Sequence, residues 1–202
     1  MTSHLLPDDD IIARTVNALE SRNVRVFVAS TKEEAKEKLI EIVPEGAEIF
    51  NSTSETLDAI GYTEFVRNNP RYRNLHDAVE AESDPARKGD LRRRACIAEY
   101  YIGSVQAITE TGEVFIASAS GSQIAPYVYG AKHVIWVAGT QKIAPTFNDA
   151  MKRVRGHTLE MHDRWLAGMG YAPTPIGKLA VVEHENQPGR ITLILIKDKL
   201  GW

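Results

Sequence analysis

Apolar residues recur with two different periods along this chain, and the changes of period mark its elements. Over residues 8–22, DDDIIARTVNALESR, Ile12, Val16 and Leu19 fall at helical spacing behind an acidic first turn, which suits the positive end of a helix. VRVFVAS (24–30) reads as a strand. TKEEAKEKLIEIV reads as a helix, because Thr31 and Glu34 have capping-box spacing and Ala35, Leu39 and Val43 share one face. Pro44 ends it. AEIFN (47–51) is a second strand, and SETLDAIG a short helix with Ser52 and Glu55 at capping-box spacing and a glycine stop. This strand–helix–strand–helix alternation predicts a parallel, doubly wound α/β arrangement.

Clusters of Arg, Asp, Asn and Pro at 68–90 interrupt the pattern, with a helix expected over roughly 85–98. VQAIT (105–109) and EVFIAS (113–118) flank ETG and read as a β-hairpin. GSQIAPYVYGA is a short helix or turn, and the mostly apolar KHVIWVAG is a strand buried on both faces. A long helix starts at Thr146, where Thr146 and Asp149 mark the cap. Phe147, Met151, Val154, Met161 and Trp165 form its inner stripe, read as core. KLAVVEH and RITLILIK are the last strands, joined through ENQPG. The chain shows no repeat, low-complexity tract or Ser/Gly linker, so its 202 residues are expected to form one domain.

Composition narrows the classes. Apolar residues make up 43% and charged residues 25%, and the net charge is -3, which gives no general attraction to nucleic acid or anionic membrane. The apolar runs are too short to span a bilayer, and MTSHLLPDDD lacks the basic start and apolar stretch of an export signal. Cys96 is the only cysteine, which excludes an internal disulfide or a four-cysteine cluster and suits a reducing cytoplasm. The six histidines form no metal motif. Cys96 follows RRRA, yet the helical periodicity around it favours a buried, inert thiol.

Two hydroxyl-rich stretches carry the candidate chemistry. NSTSETLD follows a strand, at the end where open α/β sheets bind ligands, and offers Asn51, Ser52 and Ser54 to an anion. Ser52 alone is explained as a helix cap; the others crowding the loop are not. SASGSQ follows the strand EVFIA and offers Ser120, Gly121, Ser122 and Gln123, with Gly121 allowing close backbone approach. Gln141 and Lys142 follow the buried strand, where Lys142 would supply the counter-charge. Glu110, at the hairpin tip, is the available general base. ARKGDLRRR (86–94) is a locally basic run, read as a solvated face with a docking patch as the alternative. No GxxxxGK[ST] loop or GxSxG elbow occurs.

FNSTSETLDAIGY, YYIGSVQAITETGEVFIASASGSQIAPYVYGAKHVIWVAGTQKI and PGRITLILIKDKLGW resemble the LUD-domain family of lactate-utilisation proteins, in its short single-domain branch. The resemblance implies a NagB/RpiA/CoA-transferase-like α/β fold, with residues 1–45 as an N-terminal helical and βα segment and 46–202 as the family core. Through GSQ and GTQK it carries Ser122, Gln123, Gln141 and Lys142 over as site residues. The helix at LEMHDRW departs from the family's acidic stretch, so no role passes to Glu160 or Asp163.

The expected function is binding of a small anionic metabolite, a hydroxy or oxo acid or a phosphorylated compound, linked by the resemblance to L-lactate utilisation. No cofactor is implied. The alternative is a non-catalytic subunit that docks an iron–sulfur oxidoreductase, and a third reading is an isomerase or cyclo-ligase of the same fold. The apolar GW end and the tyrosines suit a homodimer.

Overall fold

The computed structural model describes residues 6–202; the expectation that the first residues form no export signal falls partly outside them. Its first half runs α1 (Asp9–Glu20), β1 (Val24–Ala29), α2 (Lys32–Ile42), β2 (Glu48–Asn51), α3 (Glu55–Ala59), α4 (Tyr62–Val66), β3 (Arg73–Asn74), α5 (Leu75–Ala81) and α6 (Pro85–Ala95). There follow β4 (Tyr100–Gly103), β5 (Ala107–Thr109), β6 (Val114–Ser118), β7 (His133–Gly139), β8 (Ile143–Ala144), α7 (Phe147–Arg153), α8 (Leu159–Gly168), β9 (Lys178–Val182) and β10 (Ile191–Ile196).

Six strands form one sheet in the order β1-β10-β7-β4-β2-β3, parallel at every pairing, with helices packed against it. This is the expected α/β class. The continuous apolar strands ITLILI and HVIWVAG take the central places because both faces are covered there. Alternation sorts them: Ile135, Val137, Ile194 and Ile196 pack with α2 and α3 residues such as Leu39 and Leu57. Val134, Trp136, Leu193 and Leu195 point the other way, onto Leu19 of α1 and Ile108, Val114 and Ile116 of a second sheet. Full burial of each such side chain contributes about 1.5–3 kcal/mol.

The second sheet runs β8-β5-β6-β9, and the expected hairpin β5–β6 lies at its centre. Its outer face carries Ala107 and Phe115 against Ala150 and Val154 of the long helical segment. β9 and β10 belong to different sheets, so ENQPG crosses between layers rather than closing a hairpin.

Helix starts follow the sequence closely. Asp8 caps α1, Thr31 caps α2 and accepts from the Glu34 amide, and Thr146 caps α7. Ser52 is the exception. Its amide donates to the Ile102 carbonyl at 2.8 Å, which extends the β2–β4 ladder by one residue. Ser54, extended at φ -158, therefore caps α3, with its hydroxyl accepting from the Leu57 amide at 3.3 Å. Ser54→Ala is expected to cost about 1 kcal/mol, a fall of roughly 2–4 °C in melting temperature, and Ser52→Ala is expected to leave the cap intact. Thermal unfolding of the two variants checks both.

The expected long helix runs from Phe147 to Gly168 but contains a π turn at Val154–Thr158. The wider turn shifts the register of everything after it. Trp165 consequently faces a cavity rather than the core, while Phe147 is exposed at the start of the stripe.

Candidate functional site

Three parallel strands end side by side: Asn51 of β2 is in register with Ile102, and Gly103 of β4 with Trp136 of β7. From their carboxyl ends come Ser52–Glu55, Ser104–Gln106 and Thr140–Lys142. This is the edge at which open α/β sheets bind ligands. The loop after β6, Ser118–Gln123, faces them, and the π-turn segment with α8 closes the side. Together they enclose a cavity of about 380 Å³.

Lys142 is a buried part of its lining. β7 runs into a short 3-10 turn at Thr140–Lys142, which folds the side chain inward until only 2% of the residue is exposed. Its Nζ donates to Ser104 Oγ at 3.0 Å and to Thr56 Oγ1 at 3.3 Å. These two hydroxyls lie 3.2 Å apart, and Thr56 Oγ1 also donates to the Leu200 carbonyl at 3.2 Å. Among the described residues no carboxylate forms an ion pair with Lys142. Burial, with the Arg153 guanidinium nearby, pulls the ammonium down from its ordinary 10.5 to about 7.

Arg153 repeats the pattern at the end of α7. Its Nε donates to the Gln106 carbonyl at 3.1 Å, its Nη2 is buried without a hydrogen-bond partner, and burial lowers its pKa to about 10. A buried cation beside a second, partly buried one, with no ion pair to an acid among the described residues, is unusual, because buried charges are normally paired. Glu55 is the one acidic side chain among the described residues that lines the cavity.

Part of the lining is hydroxyl-rich, with Ser54, Ser118, Ser120 and Ser122, and carries the Gln123 amide, whose Nε2 reaches the Thr53 carbonyl at 3.5 Å. The remaining wall is apolar and aromatic. Trp165 stacks on His162 with ring centres 5.7 Å apart, and Trp202 lies 6.1 Å from Trp165. Trp202 is brought there by the chain's last residues. Gln141 Nε2 donates to the Leu200 carbonyl at 2.9 Å and to Gly201 at 3.3 Å. Gly139 admits this segment, since any Cβ there would strike the Asp198 carbonyl and the Leu200 amide.

The structure thus brings Ser54, Ser120, Ser122, Gln123 and Lys142 to one cavity. Ser52 and Gly121 line a neighbouring cavity of about 600 Å³ on the far side of the same loops, beside Cys96, Arg92 and His76. Asn51 is buried at the end of β2, its Oδ1 without a partner. Gln141 holds the chain end. Glu110 stands elsewhere: it lines neither of these two cavities and pairs with Arg14 across 3.1 Å at the hairpin tip. The hairpin that displays Glu110 points it toward α1, so a base role for it has no geometric support. Glu110→Gln is expected to leave ligand binding unchanged and to cost under about 1 kcal/mol, the range of an exposed pair; binding and melting measurements on the variant check this. The Cys96 thiol is pushed up by burial despite the arginines before it.

Thr56, Ser104, Arg153, His162, Trp165 and Trp202 were not candidates from sequence. Ser104 was readable, since it directly follows a strand; Arg153 and Trp202 carried no signal, because a π turn and a folded-back chain end place them. No group of three or more His, Cys, Asp or Glu among the described residues could hold a metal, and none of their helices is long and apolar enough to cross a membrane.

Comparison with known proteins bears on the whole chain. The model of the LUD domain matches residues 12–196. A DUF162 family protein from Deinococcus radiodurans, known from its crystal structure, superposes with a TM-score of 0.57 over 95% of this chain and 99% of its own, at 11% identity. That likeness shows the shared fold. Ribose 5-phosphate isomerase A from Neisseria gonorrhoeae aligns with a TM-score of 0.30 and 14% identity, over 66% of this chain and 68% of that one. No curated protein matches the chain in sequence.

Proposed function

The chain belongs to the LUD-domain family, and on that footing we propose that it binds a small anionic metabolite in the cavity over Lys142. A hydroxy or oxo acid or a small phosphorylated compound is the class that suits the site. The carrying observation is the buried Lys142 next to Arg153, neither with an ion pair to an acid among the described residues. An anion supplies the missing charge, Ser54, Ser120, Ser122 and Gln123 donate hydrogen bonds to it, and Trp165 and Trp202 cover its carbon skeleton. The volume suits a ligand of metabolite size. A role in L-lactate utilisation, in the cytoplasm, is the metabolic setting proposed; the free Cys96 is in keeping with it.

A thermal-shift panel of L-lactate, pyruvate, sugar phosphates, ATP, CoA and folates tests this reading. Binding to the folded state stabilises by RT ln(1 + [L]/Kd), about 2.7 kcal/mol at a hundredfold excess over Kd. A rise with one anion class, lost on Gln123→Ala, supports it. A response only to cations would sink it.

A second reading rests on the surface. Ile97, Val128 and Tyr129 are exposed, the last at 88%, and the backbone at Cys96 adjoins Gly130, which brings the two exposed segments together. Such a face suits docking of an iron–sulfur oxidoreductase. Co-purification with such a protein, lost on Tyr129→Asp, supports docking, whereas self-association lost by the same change points to a homodimer.

A further inference from the structure

Resting on the reading of the cavity as an anion site, we propose that Lys142 is also a nucleophile that forms a reversible imine with the carbonyl carbon of a bound 2-oxo acid. The proposal stands on placement. Lys142 lines the cavity with 2% of the residue exposed, and the hydrogen-bond partners of its Nζ are two hydroxyls that line it too, Ser104 Oγ and Thr56 Oγ1. A hydroxyl can accept from an ammonium or donate to a free amine. No carboxylate holds the proton on the nitrogen, so the lone pair can be released without breaking an ion pair. Burial and Arg153 add to this, holding the group near 7. At neutral pH its free-amine fraction is on the order of a thousandfold larger than that of an exposed lysine.

The rest of the cavity suits an acid whose carbonyl adjoins a carboxylate. Ser120, Ser122 and Gln123 line the same cavity as the amine and can hold the carboxylate. Trp165, Trp202 and Ile176 can take the alkyl end and exclude water, which favours a condensation that releases water.

The step balances without a co-reactant. The amine lone pair attacks the carbonyl carbon, and the C–O π electrons move to oxygen, which takes up a proton. The nitrogen loses a proton as the carbinolamine forms. Protonation of the hydroxyl expels water and the C=N bond forms. Ser104 and Thr56 can relay these protons at the nitrogen, and His162 and Glu55 line the same cavity. Nothing is oxidised or reduced.

Trapping tests it on the wild-type protein. The chain is incubated with pyruvate or 2-oxobutyrate and sodium cyanoborohydride, whose hydride reduces the imine to a stable amine. The digest is then mapped by mass. The expected result is a mass gain on Lys142 equal to the acid less one oxygen atom, at least about tenfold above any other lysine. L-lactate, which has no ketone carbonyl, should suppress labelling without itself being trapped, and Lys142→Met should abolish the adduct. Should that variant fail to fold, Ser104→Ala keeps the amine and is expected to slow trapping. A rise in melting temperature with pyruvate but no adduct, or labelling spread evenly over surface lysines, overturns the nucleophile and leaves the anion site standing. No response to any oxo acid, hydroxy acid or phosphate overturns both.

Discussion

Lys142→Met is expected to lose the thermal response to anions and, without ligand, to melt higher than the wild type. Both effects have one cause. The folded chain holds the Lys142 pKa at about 7, against 10.5 when unfolded. Between those values the unfolded chain binds more protons, so the contribution of this group to stability improves as pH rises and is at its worst at pH 7 and below. One factor of ten in proton affinity is about 1.4 kcal/mol, so the penalty relieved by methionine is a few kcal/mol. For a chain of this size that is a rise of roughly 5–10 °C, largest near neutral and acid pH and shrinking toward pH 10. Methionine fills a similar volume, and Thr56 and Ser104 remain within hydrogen-bond reach of each other. Melting curves of both proteins across pH check the sign; a variant that melts lower than wild type at pH 6 contradicts it. A site that stores instability for ligand binding behaves this way.

Arg190→Met is expected to act in the opposite direction. Arg190 is 6% exposed, and each guanidinium nitrogen is engaged: Nε donates to the Ala131 carbonyl at 3.1 Å, Nη1 to Tyr127 at 3.0 Å, and Nη2 to Pro126 at 2.9 Å. Nη1 also pairs with Glu185 at 2.8 Å. The carbonyls belong to the π turn Pro126–Gly130 and the residue after it; the Pro126 carbonyl also accepts from the Ala131 amide at 3.2 Å. Removing the donor takes the side-chain partner from the Ala131 and Tyr127 carbonyls, leaves Pro126 with the Ala131 amide alone, and unpairs a carboxylate whose side chain is 13% exposed. Loss of one partner of a buried pair costs about 3–5 kcal/mol, a fall of roughly 10 °C or more. Arg190→Lys is expected to recover only part, because an ammonium cannot present the planar fork. Since this turn continues from the Ser118–Gln123 loop, ligand affinity should fall with it. Urea unfolding and ligand titration of the two variants measure each effect.

How far the sequence revealed this depended on the range of the interaction concerned. Element types followed local periodicity, so the parallel sheet, the β5–β6 hairpin and the caps at Thr31 and Thr146 were legible. Ser52 was misread as a cap because the residue that extends a strand ladder is chosen by a partner 50 positions away in sequence, the Ile102 carbonyl. Trp165 was assigned to the core because a 3.6-residue period was carried through a π turn that no local pattern announces. Glu110 was chosen for its chemistry alone, and the direction of the hairpin placed it against Arg14. Lys142 was legible as a candidate from its position after a buried strand. Its meaning was not, because burial without an acid partner is a property of packing.

The central claim is that Lys142 gains its counter-charge from the ligand, and the most direct test counts protons. L-lactate and inorganic phosphate are titrated into the protein calorimetrically at about pH 8, in two buffers of different ionisation enthalpy. An anion beside Nζ raises its pKa above about 7, so binding takes up protons, approaching one per L-lactate bound. The uptake should fade near pH 6 and vanish in Lys142→Met. Tight binding with no proton uptake, or equal binding by Lys142→Met, would contradict the account.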